Sequence, residues 1–134
     1  INVNGIKVIN DAYNASPQSV KAALDVLEEM ETGRRIAVLG DMLELGEWTE
    51  QAHLDTGRMA AEKNIDYIVT VGKEAVNIAR GAAETGYAPD RIASFQSNRE
   101  AYEYLKNILK QGDAILVKGS RGMKMEELVG YLST

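Results

Sequence analysis

The sequence contains no cysteine, which rules out disulfides and thiolate-bound metals. It has one histidine, His53, so a transition-metal centre would lack its usual nitrogen and sulfur ligands. Acidic residues outnumber basic ones, 20 to 15. The net charge of −5 argues against a broad nucleic-acid surface. Trp48 and the tyrosines show no stacking pattern suited to nucleic acid and read mostly as packing residues. No apolar run approaches the ~20 residues that a membrane span needs, and no secretory signal is visible. Repeats, linkers and low-complexity segments are missing too. So is a G-x-x-x-x-G-K-[ST] phosphate loop: Gly119-Ser120-Arg121-Gly122 is too short and has no lysine in place.

What is present fits one domain of 134 residues, with 45% hydrophobic residues supplying a core. Ile1 to Val3 and Ile6 to Asn10 read as strands around Asn4-Gly5, a hairpin signal because both residues tolerate positive φ. The first residue is not Met and Ile1 already reads as strand, so the chain is expected to be cut from something longer. Ser16 caps and Pro17 opens a helix carrying Val20, Ala23, Leu24, Leu27 and Met30 at helical spacing, ended by Gly33. Further strands are predicted at Ile36–Leu39, Tyr67–Val71, Ile92–Phe95 and Ala114–Val117. Further helices are predicted from about Glu47 to Lys63, Glu74 to Glu84, around Ala101 to Ile108 and around Lys124 to Leu132. The alternation predicts an α/β, Rossmann-like three-layer sandwich of about six strands, mostly parallel, with one antiparallel strand from the hairpin.

In a parallel sheet the strand carboxyl ends share one edge, and ligands bind there. Three strand-to-helix loops have unusual content. Asp11 to Ser16 offers a carboxylate able to accept two hydrogen bonds from a ribose diol, and Asn14 can contact a base or sugar edge. An Asx-type turn with a helix cap explains the same residues. Gly40 to Glu47 carries Asp41 and Glu44, which can hold an ammonium group, brace Arg121, or simply be solvated. Gly40 and Gly46 allow a tight turn and close approach. Lys118 to Glu126 places Lys118, Arg121 and Lys124 near Ser120 and a helix amino end, which favours a carboxylate or phosphate. Lys124 reads as solvated and His53 as structural. The loops at Gly72-Lys73 and Gln96-Ser97-Asn98 read as ordinary connections.

Two fold-level alternatives fail on residues. A dinucleotide-binding module wants G-x-G-x-x-G after its first strand, where this chain has Asp11-Ala12-Tyr13-Asn14-Ala15-Ser16. A phospho-acceptor receiver domain is half-satisfied by Asp11 and Lys118. It needs an aspartate at the end of the third parallel strand, which here ends Thr70-Val71-Gly72.

The run Asn10-Asp11-Ala12-Tyr13-Asn14-Ala15-Ser16-Pro17 resembles the D-x-Y-N-A-N-P signature that opens the C-terminal domain of the Mur ligases, with Ser16 where the family usually has Asn. The runs G-D-M-L-E-L-G-E from Gly40 and K-G-S-R-x-x-x-M-E from Lys118, with His53 and Gly57, are similar to those of the family members that add D-alanyl-D-alanine. The resemblance implies that residues 1–134 are the third domain of a three-domain enzyme, the N-terminal and central ATPase domains lying outside it. It implies nucleotide contacts from Asp11, Tyr13 and Asn14, and substrate contacts from Lys118, Ser120, Arg121, Asp41 and Glu44. No catalytic residue and no metal ligand is assigned to this chain.

The implied activity is ATP-dependent joining of D-alanyl-D-alanine to UDP-N-acetylmuramoyl-tripeptide in cytoplasmic peptidoglycan synthesis, with ATP and Mg2+ as cofactors and the magnesium ligands mainly in the central domain. The isolated domain is expected to be inactive. The partners implied are its own two other domains and the two substrates, with no nucleic acid and no membrane insertion. The alternatives are the C-terminal domain of another Mur-type or folylpolyglutamate ligase, or a non-catalytic nucleotide-binding α/β module.

Overall fold

Asn4 and Gly5 take φ values of 51° and 83°, as a type I′ turn requires. The Gly5 N–H donates to Asn2 Oδ1 at 3.1 Å. The turn joins β1 (Asn2–Val3) to β2 (Ile6–Asp11) as an antiparallel pair. The computed structural model describes residues 2–133, so Ile1, the expected first strand residue, lies outside the described residues.

Beyond β2 the chain alternates through α1 (Pro17–Glu29), β3 (Arg35–Gly40), α2 (Thr49–Ala61), β4 (Tyr67–Val71), α3 (Val76–Glu84), β5 (Ile92–Phe95), α4 (Asn98–Ile108), β6 (Ala114–Lys118) and α5 (Glu126–Leu132). At the start of α1 the Ser19 N–H donates to Ser16 Oγ and the Ser16 N–H to Ser19 Oγ, a reciprocal cap. The helix stops at Glu29, short of Gly33; the Gly33 N–H instead bonds the Gly112 carbonyl at 2.9 Å.

Three helices start about two residues later than expected: α3 at Val76 and not Glu74, and α2 and α5 behind short turns. Gly46, at φ 59°, leads into a single 3-10 turn over Gly46–Trp48 before α2. A second such turn over Arg121–Met123, followed by Lys124 in the left-handed region, delays α5 to Glu126.

The sheet order is β1-β2-β6-β3-β4-β5, every pair parallel except β1 with β2. Both faces of the central strands are covered, so they read as unbroken apolar runs. Along β3, Ala37 and Leu39 pack beneath α1, α2 and α3 with Leu24, Leu27, Ala60 and Ile78. Ile36 and Val38 face α4 and α5 with Ala101, Leu105, Leu128 and Val129. Each of the leucine, isoleucine and valine side chains here, when fully buried, stabilises the fold by roughly 1.5–3 kcal/mol.

Helices α2 and α3 touch backbone to backbone. A Cβ on Gly57 would lie 1.9 Å from the Ile78 carbonyl oxygen, and one on Gly81 would lie 2.1 Å from that of Leu54.

The connections from β2 to β3, β4 and β5 advance in one direction over the first face. The return from β5 to β6 crosses the second face and sets β6 between β2 and β3. Advancing on one face and returning on the other keeps a single crossover hand.

Candidate functional site

Because β2, β6 and β3 are neighbours, the three loops singled out by composition rise side by side at the carboxyl edge. The β2 loop leads to the α1 face and the β6 loop to the α5 face. That divergence is a topological switch point, where open α/β sheets bind ligands.

Asp11 and Lys118 are register partners on adjacent strands. Lys118 Nζ donates to Asp11 Oδ2 at 2.9 Å and to the Asn14 carbonyl at 2.8 Å. The Lys118 side chain is only 2% exposed and that of Asp11 44%. A lysine is left in such a place only when paired. Its charge is therefore spent inside the protein, on holding one carboxylate oxygen and the turn of the first loop. Asp11 Oδ1 has no hydrogen-bond partner among the described residues. Tyr13 and Asn14 are exposed beside it.

Ser120 ties the three loops together. Its hydroxyl accepts the Leu43 N–H at 2.8 Å and lies 3.5 Å from the Ala15 carbonyl, to which it donates. Its N–H donates to the Asp41 carbonyl at 3.0 Å. Close approach completes the join: a Cβ on Gly40 or Gly119 would strike Met125 Sδ, at 2.2 and 2.3 Å.

Of the three cations expected near a helix amino end, Lys118 is committed elsewhere, to Asp11 and the Asn14 carbonyl. Lys118 turns inward, Arg121 and Lys124 turn outward, and the first turn of α5 holds Glu126 and Glu127. Arg121 is exposed, and its guanidinium has no partner among the described residues. It remains free to grip an oxyanion with two parallel hydrogen bonds.

Asp41 does not brace Arg121. Its carboxylate turns towards the β4–α3 loop, where Oδ1 accepts the Ala75 N–H at 2.7 Å. A Cβ on Gly72 would meet that oxygen at 2.4 Å, so only glycine leaves room. Burial pushes the Asp41 carboxyl above its ordinary value, opposed by the N–H groups of Ala75 and Glu74. Glu44 is exposed, at φ 64°.

His53 is buried as a strut. Nε2 accepts the Met42 N–H at 3.0 Å, which leaves Nδ1 to donate to the Thr49 carbonyl at 2.6 Å.

Sequence reasoning missed Gly72 and Asn98, both in loops read as ordinary connections. Asn98 is buried and donates to the β6–α5 loop. A separate apolar groove of about 550 Å³ lies between α1 and α2, lined by Pro17, Trp48, Ala52 and Met59 among others. None of the sequence-predicted site residues lines it.

An open parallel sheet with a braced acid and a free arginine at its switch point defines a Rossmann-like domain with its polar groups on the ligand edge. The chain belongs to the Mur ligase family: residues 1–121 match "Mur ligase, glutamate ligase domain". It is 42% identical over 127 residues to the UDP-N-acetylmuramoyl-tripeptide–D-alanyl-D-alanine ligase of Bacillus subtilis (strain 168), covering 94% of this chain and 28% of that relative. Crystal structure II of MurF from Acinetobacter baumannii superposes with a TM-score of 0.89 at 36% identity, covering 99% of this chain and 29% of the other. MurF from Thermotoga maritima in complex with ADP has the same fold, with a TM-score of 0.82 at 24% identity and coverage of 99% and 29%. The chain thus spans under a third of the length of these relatives.

Proposed function

We propose that residues 1–134 form the C-terminal domain of an ATP-dependent ligase that joins D-alanyl-D-alanine to UDP-N-acetylmuramoyl-tripeptide in peptidoglycan synthesis. The observation that carries the reading is the convergence, on three adjacent strands, of the three loops most similar to that branch of the family. In this reading the N-terminal and central ATPase domains lie outside the chain, and the enzyme works in the cytoplasm. No helix among the described residues is long and apolar enough to cross a membrane.

ATP transfers its γ-phosphoryl group to the tripeptide carboxylate, releasing ADP. The dipeptide amine attacks the resulting acyl phosphate, the amide bond forms, and phosphate leaves. This domain supplies binding and closure. Asp11, one oxygen fixed by Lys118, offers the other to a ribose diol, with Tyr13 and Asn14 beside it. Arg121 receives the dipeptide carboxylate, and Glu44 stands on the neighbouring loop to meet its ammonium. Lys118, Ser120 and Asp41 serve as the frame: their polar atoms are committed to the loops themselves. Closing the domain over ATP keeps water from an intermediate that hydrolyses easily. Among the described residues no three His, Asp or Glu side chains converge as a metal site, and the reading gives the Mg2+ ligands to the central domain.

The test is ADP release by the full-length protein containing this chain, with UDP-N-acetylmuramoyl-tripeptide and D-alanyl-D-alanine supplied together and singly. Release that needs both substrates supports the reading. Turnover with glutamate in place of the dipeptide, or none with either, overturns it.

A further inference from the structure

We propose that Asn98, on the β5–α4 side of the sheet, is a positioning residue for the loop that presents Arg121; this rests on the ligase reading. Arg121 makes no side-chain bond among the described residues, so its placement depends on its backbone. That backbone is a tight turn: the Met123 N–H donates to the Ser120 carbonyl at 2.9 Å and the Lys124 N–H to that of Arg121 at 3.1 Å. The turn closes only with Lys124 at φ 52°, ψ 40°, a conformation that disfavours a side chain by roughly 1–2 kcal/mol.

Asn98 holds that conformation from outside. Its Nδ2 lies 3.1 Å from both the Met123 and Lys124 carbonyls and 3.2 Å from Glu127 Oε1. Two successive carbonyls turned the same way repel one another unless a donor sits between them, and the amide supplies it.

The other end of the side chain shows what the site is built for. Asn98 is 9% exposed, and its Oδ1 is buried with no hydrogen-bond partner among the described residues. An orphaned acceptor is a net cost, and such atoms are rare in native proteins. The side chain thus accepts that cost on one atom while its amide hydrogens are turned to the two loop carbonyls and to Glu127 at the start of α5. Asn98 touches no substrate in this arrangement; it acts through the turn that carries Arg121.

The experiment uses the full-length ligase with each substrate varied in turn. Asn98→Ala should raise the D-alanyl-D-alanine KM by roughly tenfold, with the ATP and tripeptide KM values unchanged. Asn98→Asp keeps the volume but sets a carboxylate against two carbonyls and Glu127, and should raise the dipeptide KM at least as much. Lys124→Gly in the Asn98→Ala background should recover part of the loss, because glycine enters the left-handed region freely. An unchanged dipeptide KM in both Asn98 variants overturns the proposal. So does an equal rise in all three KM values, or no recovery from Lys124→Gly. Absence of dipeptide-dependent turnover in the unmodified enzyme overturns the ligase reading and this proposal with it.

Discussion

Replacing Lys118 by Met removes an ammonium group and keeps most of the buried stem. Two charge-assisted bonds disappear, at 2.9 and 2.8 Å. Breaking a fully buried pair costs about 3–5 kcal/mol. Here the Asp11 side chain is 44% exposed, so water can take over its abandoned oxygen, and a loss nearer ~2 kcal/mol is expected. For 134 residues the unfolding entropy is about 0.28 kcal/mol/K, which makes that loss a fall of roughly 7 °C in Tm. The assay is calorimetry on the isolated chain, which should unfold in one transition. Asp11→Asn in the Lys118→Met background should cost less than its effect in the parent, because it discards a carboxylate already left unpaired. A Tm change under about 2 °C, or strict additivity of the two substitutions, would show that the pair does not hold the first loop.

Arg121→Ala should lower kcat/KM for D-alanyl-D-alanine by roughly tenfold to a hundredfold in the full-length ligase, with tripeptide binding unchanged. Arg121→Lys should restore only part, since an ammonium cannot make the two-pronged contact. Full activity in Arg121→Ala would return this residue to the solvated surface. For Asp41, burial raises the carboxyl above 3.8, so its ionised form weighs against folding at neutral pH, and that penalty vanishes as pH falls through the raised value towards 3.8. Asp41→Asn keeps an acceptor for the Ala75 N–H and should match or exceed the parent in stability at pH 7. The parent should gain on the variant between pH 7 and about 4, and a parent that loses ground over that range would refute the assignment.

The strands and the hairpin were legible because their signals are local. Ile36 to Leu39 and Ala114 to Val117 are apolar on both faces, and Asn4-Gly5 tolerates positive φ. Helix starts were less legible. The predicted starts at about Glu47 and Lys124 miss the 3-10 turn at Gly46–Trp48 and the left-handed Lys124, which keep the backbone out of the α-helix until Thr49 and Glu126. The site was legible in content and not in arrangement. Composition marked the three loops, but strand order is a long-range property, and nothing in the chain near residue 118 says that β6 lies between β2 and β3. For the same reason Lys118 looked like a ligand-facing cation. Its partner Asp11 is 107 positions away. Asp41 looked available because the glycine that makes room for its carboxylate, Gly72, sits on another loop. Asn98 gave a weak signal, a polar residue after the helix-capping Ser97, and its burial depends on a loop that comes later in the chain.

The place of β6 also sets the order in which the protein can be made. Of the six described strands, the one at the centre of the site is synthesised last. Until residues 114–118 exist, β2 has no neighbour but the two-residue β1, and β3 has only β4. A growing chain can assemble β3, β4 and β5 early, but the opening hairpin must wait outside the sheet until residues 114–118 are made. Such distant pairing is slow to form and leaves a strand edge exposed meanwhile. The contacts that tie the first loop to the others, Lys118 to Asp11 and Ser120 to Ala15 and Leu43, arrive in that final step, whereas Asp41 to Ala75 and His53 to Met42 can form before it. A product that stops before residue 118 therefore lacks the ties that join the first loop to the other two.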